Sequence, residues 1–154
     1  MKKWPVFDNE GDLPVGIHQA TLTEILQHFG TGTEERKLIG QRLEHIFILA
    51  HSTGKVARFI VFGSFVTAKP VPGDVDIFLL MENSFDVSQV RGEAALVFDP
   101  QRTQEVFGAS VFWIRKQGAI TSEQEAVEDW QIKRDNSRRG IVEVIHNDSE
   151  QSRT

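Results

Sequence analysis

A chain of 154 residues, 40% hydrophobic and 25% charged, has the length and composition of one ordinary globular domain, expected over residues 1–145. It has no cysteine, which excludes a disulfide frame and a thiolate metal site, and no apolar run near the roughly 20 residues that span a bilayer. A formal net charge of −5 speaks against a general nucleic-acid coating protein, and Met1-Lys2-Lys3-Trp4-Pro5 lacks a signal peptide's apolar stretch, so the expected compartment is cytoplasmic.

Residues 1–17 carry Pro5, Gly11, Pro14 and Gly16 and read as an extended lead-in without a regular element. Thr21-Leu22-Thr23-Glu24 has the form of a capping box, and Leu22, Ile25, Leu26 and Phe29 then follow helical spacing as far as Gly30. A second and longer helix is predicted from Thr33, with Glu34 and Glu35 at its positive end, to about Gly54. Two apolar runs near 56–63 and 74–81 are predicted as paired strands, and residues 83–98 as one irregular helix. Pro100 opens a short helical turn that Gly108 ends, and Ser110-Val111-Phe112-Trp113-Ile114 reads as a third strand. Ser122 caps a helix predicted over residues 123–133, and Ile141-Val142-Glu143-Val144-Ile145 reads as the last strand, with Glu143 on the opposite face from its neighbours. The tail 146–154 is polar and expected to fray. With helices and strands interspersed and no internal repeat, the expected fold is α+β: helices packed on a small mixed sheet.

The chemistry concentrates in the middle of the chain. Phe59-Ile60-Val61-Phe62 reads as a buried strand that breaks at Gly63-Ser64, where backbone N–H groups and a hydroxyl can hold a phosphate. After a gap of nine residues comes Asp74-Val75-Asp76, leading into Ile77-Phe78-Leu79-Leu80. Alternate residues of a strand share a face, so Asp74 and Asp76 present two carboxylates side by side while Val75 and Ile77 turn into the core. Such a pair is a ready ligand set for Mg²⁺.

Gly63-Ser64, a connector carrying Lys69-Pro70, and Asp74-Val75-Asp76 together resemble the signature of the nucleotidyltransferase superfamily of the DNA polymerase β type. The wider chain resembles a family of small bacterial proteins with that fold, through Leu13-Pro14-Val15-Gly16-Ile17-His18, Gly63-Ser64-Phe65-Val66-Thr67 and Arg139-Gly140-Ile141-Val142-Glu143. The resemblance implies a nucleotidyltransferase-like fold and transfer of a nucleotidyl group from a nucleoside triphosphate to an acceptor that the sequence does not name. Asp74 and Asp76 would then be catalytic and hold Mg²⁺, and Gly63 and Ser64 would bind the nucleotide's phosphates. Lys69 would either add positive charge there or be a solvent-facing loop lysine.

One departure stands beside the match. Members of the superfamily usually carry a third carboxylate on a neighbouring strand, and Ser110 occupies that position here. A hydroxyl is a poor Mg²⁺ ligand with no useful basicity near neutral pH, so a two-metal mechanism lacks an anchor unless Asp99, Glu105 or Glu143 substitutes. The alternative is a catalytically degenerate module of the same fold that acts through contacts with a protein partner, in a toxin–antitoxin-like or regulatory pair. A homodimer or a partner chain could complete the cleft.

Other candidates are less specific. His18 either lines a cleft or caps the first helix, while His28, His45 and His51 lack the pairing of a metal site. Trp4, Trp113 and Trp130 are expected as core or edge residues. Lys133, Arg134, Arg138 and Arg139 follow an acidic segment and read as a solvated mixed-charge surface, with nucleic-acid binding the weaker reading.

Overall fold

The computed structural model describes residues 2–146. Five strands, β1 (Ile17–Thr21), β2 (Val56–Phe62), β3 (Val75–Met81), β4 (Ala109–Arg115) and β5 (Ile141–Ile145), form one sheet in the order β1-β5-β2-β3-β4. The outer pairs β1/β5 and β3/β4 are parallel; the inner pairs β5/β2 and β2/β3 are antiparallel. The sheet is therefore mixed, and with its helices the chain has the expected α/β content.

Both faces of the central strands are covered, which is why β2 from Phe59 and β3 from Ile77 read as unbroken apolar runs. On one face lie α1 (Leu22–Phe29), α2 (Glu34–His51), α3 (Ala94–Val97) and α4 (Pro100–Phe107). Their Ile25, Phe29, Leu43, Ile46, Val97 and Phe107 pack against Phe59, Val61, Val75, Ile77, Leu79, Val111 and Val142. The opposite face carries a smaller cluster of Ile60, Phe78, Leu80 and Ile141 under Val127 of α5 (Glu123–Glu128). Each such large apolar side chain, fully buried, contributes about 1.5–3 kcal/mol.

Local chemistry sets the element ends. In the capping box of α1 the Glu24 N–H donates to Thr21 Oγ1 at 3.2 Å, and the Thr21 N–H donates to Glu24 Oε1 at 2.9 Å. Pro100 sits in the first turn of α4, and Gly108 closes it in the left-handed region at φ 60°.

Three expectations change. The lead-in ends in a strand, β1, which the capping box directly after it hid: the residues Ile17-His18-Gln19-Ala20-Thr21 pair in register with β5. The span 83–98 is not one helix but a 3₁₀ turn at Val87–Gln89, an extended Val90 (φ −74°, ψ 132°) and the short α3. The helix expected over 123–133 stops at Glu128, and a 3₁₀ turn Asp129–Gln131 leads into a tight hairpin. There the Lys133 N–H donates to the Ser137 carbonyl at 2.8 Å, and Asn136 takes φ 70°. The tail expected to fray lies outside the described residues apart from His146. Among the described residues no helix is long and apolar enough to cross a membrane.

The connector from β2 to β3 is fixed from behind by Arg36 of α2, which is 8% exposed. Its guanidinium donates to the carbonyls of Phe29 (3.1 Å), Phe65 (2.8 Å), Thr67 (2.8 Å) and Lys69. Burial pulls this guanidinium below its ordinary pKa, yet it stays charged because guanidinium deprotonates only far above neutral pH. Arg36→Met keeps much of the volume and leaves those carbonyls without their donor. It should lower unfolding free energy by about 3 kcal/mol or more, measured by urea denaturation, and make residues 63–69 the first segment to exchange amide hydrogens. An unchanged midpoint would mean that the clamp is dispensable.

Candidate functional site

Asp74 immediately precedes β3 and Asp76 is its second residue, on the face opposite Val75 and Ile77, both of which are fully buried. The ladder aligns Asp76 with Phe62 at the end of β2 on one side and with Ser110 of β4 on the other. Gly63 follows Phe62 at φ 81°, a backbone region that other residues rarely adopt. A Cβ there would run into Oδ2 of Asp76 and lie 3.0 Å from its Cγ, so glycine is required by conformation and by space. Ser64 opens a 3₁₀ turn, Ser64–Val66, whose first N–H groups have no partner within the turn itself. The Thr67 side chain closes the turn by donating to the Ser64 carbonyl at 2.6 Å. The Gly-Ser turn and the acid pair thus come together as the sequence suggested.

Burial first and the neighbouring Asp74 second push the Asp76 carboxyl up to about 6; Arg139, the Ser110 hydroxyl and Arg134 pull the other way. Ser110 Oγ also reaches Asp74 Oδ2 at 3.4 Å, and Gln104 of α4 donates to Ser110 Oγ at 2.7 Å and to the same Asp74 oxygen at 3.4 Å. The position across from Asp76 on β4 is therefore a hydroxyl held by an amide. None of the three proposed substitutes reaches the acids. Asp99 caps α4 by accepting from the Arg102 N–H, and Glu105 interacts with Gln101 and Arg102. Glu143 lies on β5 in a bidentate pair with Arg58, both bonds 2.8 Å. Among the described residues no third His, Cys, Asp or Glu gathers with Asp74 and Asp76.

The larger addition is cationic. A cleft of about 520 Å³ holds Ser64, Lys69, Asp74 and Asp76 together with Lys133, Arg134, Asp135 and Arg139 of the hairpin. It adjoins a second lobe of about 540 Å³, shared through Ser64, Lys69, Lys133 and Arg139, whose wall includes Asp12 and Thr67. Asp12, 5% exposed, accepts from Lys133 Nζ at 3.0 Å and from Arg139 Nη1 at 3.3 Å. Its bond holds Lys133 protonated, above that group's ordinary value. Asp12 is placed by Asp8, whose Oδ1 accepts from the N–H groups of Glu10 and Asp12, and by the Ala68 N–H, which donates to the Gly11 carbonyl at 2.8 Å. Read as a solvated surface in the sequence, Lys133, Arg134 and Arg139 line the same cleft as Asp74 and Asp76. Only their density of charge hinted at it, because nothing local says that the last loop folds back over residues 64–76.

Lys69 lines both lobes, with its carbonyl on Arg36 and its side chain exposed. His18 takes no part in the acid cleft: its Nε2 bonds the Pro14 carbonyl at 2.7 Å. That ring closes a corner in which the Gly140 N–H donates to the Leu13 carbonyl at 2.9 Å, and a Cβ at Gly140 would strike His18 Nε2 at 2.8 Å. The first and last segments of the wider resemblance thus interlock as neighbours along β1 and β5.

No curated protein and no solved structure matches this chain. One family does, over residues 5–145, a span that contains the Gly-Ser turn, both carboxylates and the cationic hairpin. The chain belongs to that family, DUF6932, a family of unknown function.

Proposed function

We propose that the protein is nucleotidyltransferase-like and binds a nucleoside triphosphate together with Mg²⁺ in the cleft between the Gly63-Ser64 turn, Asp74 and Asp76, and the hairpin cations. The observation that carries this reading is the convergence of two carboxylates on one strand face with Ser64, Lys69, Lys133, Arg134 and Arg139 around one cleft. A triphosphate needs cations and N–H donors, and a divalent ion needs oxygen ligands; the cleft supplies both. The donor set fits one Mg²⁺. Asp74 and Asp76 would hold it, with the remaining positions left to water and phosphate oxygens, and bound there the ion would neutralise phosphate charge and polarise a phosphorus centre. Gly63 lets the backbone approach the phosphates, Ser64 donates to them, and Lys69, Lys133, Arg134 and Arg139 counter their charge. Asp12 positions two of those cations, leaving Asp74 and Asp76 clear of direct ion pairs with them.

A second reading, a module that keeps the fold and the nucleotide but not the transfer, is favoured by one observation: Ser110 stands in register with Asp76, tied to Gln104, where the third acid would be. Such a module would act through a protein partner or a second copy of itself. Nucleic-acid binding through the hairpin draws less support, because Lys133 and Arg139 are already engaged with Asp12 and face a compact cleft.

Calorimetry at pH 7.5 should detect ATP or GTP binding that needs Mg²⁺, and Asp76→Asn should weaken it by more than the roughly tenfold that loss of an outer-shell partner costs a metal site. Equal binding by both proteins, or by neither, would sink the reading. Transfer separates the two versions of it: with α-labelled nucleotide in a cell extract, the wild type should label no acceptor and Ser110→Asp should begin to. Robust labelling by the wild type would reject the non-catalytic version.

The raised Asp76 carboxyl gives a pH test of the site's electrostatics. Its pKa is higher folded than unfolded, so the unfolded chain loses this proton first, and the group's contribution to stability falls as pH rises from about 4 to about 6. With divalent ions chelated, Asp76→Asn should therefore be more stable than wild type at pH 7.5, on the order of 1–2 kcal/mol after solvent screening, and the gain should vanish near pH 4. Urea denaturation at the two pH values checks this; a destabilised variant at pH 7.5 would contradict it.

A further inference from the structure

The face of the sheet that carries Asp76 continues past the acids into aromatic residues that the phosphate chemistry does not use. Along β4 the residue two beyond Ser110 is Phe112, which shares the face of Ser110 and remains 46% exposed on an edge strand of the sheet. Trp130 packs beside it with ring centroids 5.2 Å apart and planes 31° apart. The same indole lies 4.6 Å from Phe62, the ladder partner of Asp76, and 5.1 Å from Phe78. Trp130 thus packs against a wall of three phenyl rings, of which Phe78 is buried, Phe62 partly buried and Phe112 the most exposed. Beyond it the wall opens into a recess of about 310 Å³ floored by Phe78 and Ile114 and rimmed by Asp129, near the lower end of the size of small-molecule sites. Phe62 is the ladder partner of Asp76 and Phe112 follows Ser110 on the same sheet face, so the aromatic wall stands beside the acids, although the recess and the acid cleft share no lining residue.

An occupant that matches both halves has a polyanionic end and a planar apolar end. We propose that Phe112, backed by Trp130, is the stacking surface for the nucleobase of the nucleotide whose phosphates occupy the Asp74-Asp76 cleft, an inference that rests on the reading above. Residues two apart on a strand face stand about 7 Å from one another, so Phe112 lies one such step from Ser110, which faces Asp76, a separation that a single sugar bridges. Stacking on a phenyl ring accepts any base, so this surface distinguishes nucleotide from bare polyphosphate and does not by itself choose among bases. The mixed exposure of the wall agrees with that role: Phe62 and Phe78 belong to the packed side, and Phe112 alone of the three is exposed.

The test compares two probes, ATP and inorganic tripolyphosphate, each with Mg²⁺, by calorimetry on the full chain. ATP should bind about tenfold or more tighter than tripolyphosphate. Phe112→Leu, which keeps apolar bulk at a half-exposed site, should weaken ATP to the level of tripolyphosphate and leave tripolyphosphate unchanged, whereas Phe112→Tyr should retain the preference. Equal affinities for the two probes, or ATP binding untouched by Phe112→Leu, would overturn the stacking surface while leaving the Mg²⁺-triphosphate site standing. A loss of both probes in Phe112→Leu would assign the ring to packing and overturn the proposal too. No binding of either probe by the wild type would overturn this inference together with the reading on which it rests.

Discussion

The Arg36 guanidinium reaches from α2 into the connector between β2 and β3 and donates to the carbonyls of Phe65, Thr67 and Lys69, with Phe29 at the end of α1 as a further acceptor. A buried cation without a carboxylate partner is tolerated only where carbonyl dipoles converge on it, so the connector must hold one shape for the charge to be solvated at all. That shape delivers Gly63 and Ser64 to the acids at one end and Lys69 to the cleft at the other. It also turns the connector's carbonyls inward, toward the guanidinium. Arg36 thus orients the backbone of a loop whose opposite side faces the place where phosphate would lie, and its own positive charge sits behind that loop.

Around this fixed loop the ionic residues form two groups with different partners. Asp12 takes up Lys133 and Arg139, so part of the hairpin's charge is already balanced inside the protein. Among the described residues Asp74 and Asp76 form no ion pair and have only the hydroxyl of Ser110 and the amide of Gln104 beside them, and burial followed by the neighbouring Asp74 makes Asp76 reluctant to ionise. Two neighbouring carboxylates whose mutual repulsion and burial outweigh the pull of Arg139 and Arg134 are a cost to the folded state that a bound divalent ion would relieve.

Much of this was legible in residue order because it is local. The alternation in Asp74-Val75-Asp76-Ile77, the break at Gly63, the Thr21 capping box and the Pro100-to-Gly108 helix each depend on neighbours within a few residues, and each stands where the pattern puts it. Ser110 is singled out by the resemblance alone, and its place opposite Asp76 rests on the parallel pairing of β3 with β4. What escaped depends on contacts between distant segments. The strand β1 is short, bordered by Gly16 and followed at once by a cap, and it exists because β5 lies beside it. The helix near 123–133 shortens because Gln131 turns its side chain back to accept from the Gly16 N–H at 2.6 Å. The hairpin cations line the acid cleft only through the closure that brings residue 12 to residues 133 and 139.

The relation between Gly63 and Asp76 shows why the two halves of the central motif stand or fall together. Any side chain at Gly63 would occupy the volume of the Asp76 carboxylate, so the glycine is needed to seat the acid even before a phosphate is considered. A Gly-Ser turn kept solely for backbone geometry would tolerate a small apolar residue at position 76, and an acid kept solely for surface charge would not be half-buried against the turn. Ser110, by contrast, is joined to the same site without being required by its packing: it is half-buried, bonded to Gln104, and bordered by Phe112 and solvent on an edge strand. The site therefore separates into a part that packing enforces, the Gly63 turn seated against Asp76, and a position on β4 where Ser110 is held by Gln104. The binding proposed above would draw on the first part, and transfer would need the position that is filled by serine.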